Sequence, residues 1–89
     1  MNTVTIYTDP GHGWMEVPRT MLNELGIAGM ITQFSYQKGE FAYLEEDCDL
    51  ATFWMAYRAK HGSSPKFITK ETNTPSPIRK YRTYSTHGA

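Results

Sequence analysis

Three short runs hold the residues that could do chemistry. Asp9-Pro10-Gly11-His12-Gly13-Trp14 sets a histidine between two glycines. Such a histidine is exposed and sterically free, which suits proton transfer near neutral pH. A general acid or base needs a partner, and the neighbouring sequence supplies none with certainty. The same run also describes a glycine-rich hairpin loop with Trp14 anchoring its exit. It lacks the GxxxxGK[ST] pattern of a phosphate loop.

The soft metal ligands are His12, Cys48 and His61, with His87 near the C-terminus. A structural zinc site wants four ligands in paired spacing. These residues are scattered and unpaired, so the expectation is no metal and no cofactor. Cys48 sits among Glu45, Glu46, Asp47 and Asp49. Neighbouring carboxylates oppose thiolate formation, whereas a helix N-terminus favours it. Cys48 therefore reads as a core or cap-adjacent residue rather than a nucleophile. No catalytic set emerges, and the expectation is a protein that is not an enzyme.

Glu45-Glu46-Asp47-Cys48-Asp49 is the densest charge cluster, with four acids in five residues. The positive end of a helix dipole accounts for some of them. The remainder could face a basic partner, such as a surface that normally binds nucleic acid. Ile78-Arg79-Lys80-Tyr81-Arg82-Thr83-Tyr84 alternates bases with aromatics. Such interleaving can pair phosphates and stack bases. It is also how an exposed edge strand discourages aggregation. The partner-binding candidates are thus Glu45, Glu46, Asp47, Asp49, Arg79, Lys80, Tyr81 and Arg82.

These runs must be positioned by short elements. Thr3 to Thr8 is β-branched and alternating, which predicts a strand. Asp9 to Gly13 breaks it, and Trp14 to Val17 returns as a second strand of a hairpin. Pro18 suits the first position of a helix carrying Met21, Leu22 and Leu25, closed by Gly26 as a left-handed cap. Ile31 to Gln37 and Glu40 to Glu45 read as two strands turning at Lys38-Gly39. Asp47 or Asp49 can cap the next helix. Leu50, Phe53, Trp54 and Tyr57 form its apolar stripe, and Gly62 closes it. Lys66 to Thr72 and Ile78 to Tyr84 read as a third pair of strands around the Asn73 to Pro77 turn. The last few residues are expected to fray.

The order is ββ-α-ββ-α-ββ. It implies an α+β domain with an antiparallel or mixed sheet of five to six strands and two helices on one face. The expected core includes Val4, Ile6, Trp14, Leu22, Leu25, Phe53, Trp54, Tyr57, Phe67 and Ile68. At 89 residues the chain fits one domain,. Two Trp, six Tyr and four Phe argue for a packed core rather than disorder,. A single cysteine excludes an internal disulfide, and secreted domains of this size usually carry several. No apolar run approaches a membrane span, and the N-terminus does not read as a signal peptide. A cytoplasmic location and no membrane partner are expected. Net charge is zero, but residues 1–61 carry eight acids against four bases, while residues 62–89 carry five bases against Glu71. Such asymmetry can mark a binding tail, or two ends that attract within one fold.

Two resemblances follow from these residues. Val17-Pro18-Arg19, then Leu22, Leu25, Gly26, Ile27 and the Phe34-to-Leu44 hairpin resemble the AbrB-type swapped-hairpin module. That resemblance covers about a third of the chain and implies a homodimer that binds DNA. The clustered bases that family uses on DNA are absent here. The segments DPGHGW, EVPR, SYQ and YLEEDCD, from Asp9 through Asp49, look like small accessory proteins of tailed phages and plasmids. This resemblance implies a domain that binds and inhibits a host or defence protein, a CRISPR effector for example, in the host cytoplasm. Anti-CRISPR inhibitors are one such class. The leading expectation is that interaction protein. The alternatives are a dimeric DNA-binding regulator and a small enzyme using His12.

Overall fold

The computed structural model describes residues 3–86. His87 and the expected fraying of the last few residues lie outside the described residues. The strands are Thr3–Thr8 (β1), Gly13–Pro18 (β2), Tyr36–Lys38 (β3), Phe41–Glu45 (β4), Lys66–Glu71 (β5) and Arg82–Thr83 (β6). The helices are Arg19–Glu24 (α1) and Asp49–His61 (α2). Tight 3-10 turns occupy Ala28–Met30 and Pro77–Lys80.

All six strands join one sheet, in the order β5-β1-β2-β4-β3-β6. Its pairings are antiparallel except for β1 with β5. The domain is therefore α+β with a mixed sheet and two helices, as the sequence implies. The alternation of β1, β2 and β4 gives the sheet two unlike faces. On one, Val4, Met15, Val17, Ala42 and Leu44 meet Leu22 of α1 and Phe53 of α2, with Ile27, Ile31 and Tyr84. On the other, Trp14, Tyr43 and Ile78 form a second cluster, flanked by Tyr7, Tyr36, Phe41 and Tyr81. Among the described residues neither α1 nor α2 contributes to that aromatic cluster.

Several boundaries differ from the expectation for identifiable reasons. The strand expected over Ile31 to Gln37 shrinks to Tyr36–Lys38. The Thr32 backbone N–H and hydroxyl and the Ser35 hydroxyl all donate to the Asp49 carboxylate. Phe34 N–H donates back to the Thr32 hydroxyl. These local side-chain bonds compete with strand pairing. Asp49 itself is the first residue of α2, yet no side chain caps that helix. It is 1% exposed and is spent on tying the 32–35 loop to the helix start.

The third hairpin does not form. β5 pairs with β1 at one edge of the sheet, and β6 pairs with β3 at the other. The strand expected over Ile78 to Tyr84 divides into the Pro77–Lys80 turn and the two-residue β6. Ser76 caps the turn by accepting from Ile78 N–H, and Pro77 supplies a φ suited to its first position,. Phe67 and Ile68 are not core residues: as part of an edge strand they remain 50% and 49% exposed. The α2 stripe is real but graded. Phe53 is fully buried, while Leu50, Trp54 and Tyr57 are partly buried against the same cluster. Gly62 closes α2 at φ 78°, the left-handed conformation read from the sequence.

Phe53 rather than Trp54 thus anchors α2. Phe53→Ala should destabilise the fold by about 3–5 kcal/mol, and Trp54→Ala by clearly less. Denaturant unfolding of both variants checks the order.

Candidate ligand-binding cleft

The cleft is built from the Asp9 loop outward. Asp9 follows β1, and its side chain is inaccessible to solvent. Its Oδ1 accepts from Gly11 and His12 N–H at 2.9 Å each, which folds the β1–β2 loop. Its Oδ2 accepts from Ser76 N–H at 2.8 Å, across 67 residues of chain. The Arg79 guanidinium then closes on both oxygens, at 2.7 Å from Nε and 2.8 Å from Nη2. A planar guanidinium fork matches a carboxylate in this way. The same guanidinium lies 5.4 Å over the Trp14 ring. Arg79, with the backbone donors, holds the Asp9 carboxyl well below the usual carboxylate range.

This clamp lays residues 74–81 across the helix-free face of the sheet. Between that segment and strands β1, β2, β4 and β5 lies a cleft of about 460 Å³. That volume is within the range of ligand pockets, about 300–1,000 Å³. Tyr7, Glu16, Tyr43, Lys70, Ile78 and Tyr81 contribute to its lining. The Tyr43 ring stands 5.1 Å from Tyr81 and 6.5 Å from Tyr7. The Tyr43 hydroxyl donates to Glu16 Oε2 at 2.9 Å. Burial pushes both the Tyr43 and Tyr7 phenols up, and the Glu16 charge adds to it. Both stay protonated donors at any physiological pH. Lys70 Nζ stands 6.0 Å over Tyr7 at the rim.

A second groove of about 380 Å³ shares Tyr81 with the first. Arg19, Lys38, Lys80 and Arg82 line it. Lys38 Nζ lies 4.8 Å over the Tyr81 ring. Among the described residues the only ion pair is Arg79 with Asp9. The four bases of this groove and Glu16 of the cleft therefore have no opposite charge within ion-pair distance among the described residues.

The expected site residues separate into those that face outward and those the fold consumes. Glu46 and Asp47 are exposed, but Glu45 is 8% exposed and Asp49 is buried, so the four acids share no projecting surface. Glu45 sits opposite Trp14 and accepts from Asp47 N–H. Arg79 is a positioning residue, committed to Asp9. Lys80, Tyr81 and Arg82 remain at the grooves, joined by Arg19 and Lys38. Those two lie far from them in sequence, so no local run could reveal them.

Near Cys48 the opposing influences resolve in one direction. Desolvation and then Glu45, with Asp49 and Asp47, push its thiol up. His12 is exposed and lies beside Trp14 at 6.0 Å. Sequence spacing scatters the soft metal ligands, but the fold brings His12 next to two carboxylates. Donor atoms of His12, Glu45 and Asp47 lie within 4.8 Å of one another. Among the described residues no helix is long and apolar enough to cross a membrane. No family model, curated protein or solved structure matches the chain.

The Asp9 clamp has a defined pH signature. A carboxyl with a depressed folded-state pKa stabilises fully above its unfolded value of about 3.9. That contribution fades as pH falls from there toward the folded-state value. Asp9→Asn should lower the melting temperature at pH 7, whereas Asp47→Asn at an exposed acid should not. The gap between wild type and Asp9→Asn should narrow below about pH 4. Thermal melts across pH 2–7 read both effects.

Proposed function

We propose that this chain is a protein-interaction domain that binds its partner with the helix-free face of its sheet. One observation carries the reading: a tyrosine-lined cleft with an unpaired acid adjoins a groove with four unpaired bases. Tyrosine and arginine dominate the energetic centres of protein interfaces. Paired patches of opposite sign fix the register of a partner that carries the complementary pair. The partner surface therefore presents a basic side chain toward Glu16 and acidic groups toward Arg19, Lys38, Lys80 and Arg82.

The resemblance to phage accessory proteins supports a host or defence protein as that partner, with inhibition as the outcome of binding. A CRISPR effector, which normally holds nucleic acid, is one such partner. A DNA-binding role draws support from the basic groove alone. It gains nothing from Arg79, which Asp9 neutralises, nor from Glu16, which repels phosphate.

Defence complexes purified individually should be screened against the immobilised chain at physiological salt. A complex retained by wild type and by Met55→Ser, on the helix face, should be lost with Tyr81→Ala and with Lys80→Glu. Equal retention by all four proteins contradicts the assignment of this face. Recovery of nucleic acid with no protein contradicts the assignment of the partner.

A further inference from the structure

Glu16 stands out among the charged residues of the fold. It is partly buried on β2 and faces the cleft. Its one hydrogen bond among the described residues comes from the Tyr43 hydroxyl to Oε2. Among the described residues no base lies within ion-pair distance of it. Taking a carboxylate partly out of water without a counter-ion is unfavourable. A carboxylate has about four acceptor sites, so one phenol leaves Oε1 open to a ligand. Around it stand the rings of Tyr7, Tyr43 and Tyr81. Aromatic faces carry negative potential and attract cations. The raised pKa values of Tyr7 and Tyr43 show that these phenols do not add negative charge of their own.

Resting on the reading of this face as the recognition surface, we propose that the cleft is a binding site for an organic cation. Its ligand is the guanidinium or ammonium end of an arginine or lysine side chain. Glu16 is the counter-ion, and Tyr7, Tyr43 and Tyr81 are the walls. A volume of about 460 Å³ admits the aliphatic stem together with the charged head. The stem packs on Ile78 and the tyrosine rings, while the head reaches Glu16. Lys70 marks the same preference from within the chain, since its ammonium lies 6.0 Å over Tyr7. It stops short of an ion pair with Glu16, so it competes at the rim without filling the floor. Anionic ligands are directed instead to the basic groove on the far side of Tyr81.

Three blocked amino acids serve as probes: N-acetyl-arginine amide, N-acetyl-lysine amide and N-acetyl-norleucine amide. Each is titrated into isotope-labelled protein and followed by NMR at Tyr7, Glu16, Tyr43 and Tyr81. The arginine and lysine probes should shift these signals saturably, and the neutral norleucine probe should not. The stronger of the two cations identifies the head group. Glu16→Gln should weaken the cationic probe at least tenfold while keeping the wild-type amide spectrum elsewhere. Tyr43→Phe retains the ring and frees the carboxylate, so it should bind the cation at least as well as wild type. Lys70→Gln, which removes the competing rim ammonium, should strengthen binding. If Glu16→Gln fails to fold, Tyr43→Phe and Lys70→Gln decide the matter without it. Equal shifts with norleucine, no shift with either cation, or unchanged affinity in Glu16→Gln overturns the cation site. The interaction reading falls separately, when Tyr81→Ala and Lys80→Glu retain a defence complex as well as wild type.

Discussion

The structure depends on one buried carboxylate. Asp9 gathers five hydrogen bonds: from Gly11, His12 and Ser76 N–H and two from Arg79. Oδ1 takes the local Gly11 and His12 N–H together with Arg79 Nη2, and Oδ2 takes the distant Ser76 N–H and Arg79 Nε. The effect is to fasten the β1–β2 loop to a segment nearly seventy residues later. Because β5 and β6 lie at opposite edges, residues 72–81 must cross a face of the sheet, and the Asp9 bonds together with buried Ile78 pin that crossing on the aromatic face. The clamp thereby converts a flat sheet face into a cleft. It also commits the Arg79 guanidinium to Asp9, although Arg79 stands in the most basic run of the chain.

The two faces of the sheet are packed differently. The helix-covered face holds the larger apolar cluster around Phe53, Leu22, Met15 and Leu44. The smaller apolar cluster of the other face holds Trp14, Tyr43 and Ile78 and leaves other tyrosines partly open. Tyrosine suits this position because its ring packs while its hydroxyl stays serviceable. Asp49 performs for the first face what Asp9 performs for the second. By accepting from Thr32 and Ser35 it fixes the loop that leads into β3. Two acids that look like surface charge are thus structural pivots.

Local patterns made much of the fold legible. β-branched alternation marked β1, the Leu50–Tyr57 spacing marked α2, and Gly62 marked its end. What was not legible depended on partners distant in sequence. Thr32 and Ser35 look compatible with a strand until Asp49 takes their hydroxyls. Phe67 and Ile68 read as core until β5 takes an edge. Ile78 to Tyr84 alternates like a strand, but Ser76, Pro77 and the pull of Asp9 on Arg79 turn its first half into a tight coil. The same rule governed the site. Lys80, Tyr81 and Arg82 announced themselves as a run. Glu16, Tyr7 and Tyr43 lie on three different strands and converge only through the β1–β2 and β2–β4 registers.

The Asp9 carboxylate holds the 74–81 segment in place and so forms the cleft. Ring-to-ring NMR contacts in Asp9→Asn test it directly. The account predicts that the Tyr43–Tyr81 contact disappears while Phe53–Tyr57, on the opposite face, persists. If the Tyr43–Tyr81 contact survives unchanged in that variant, the cleft does not depend on Asp9 and the account is wrong.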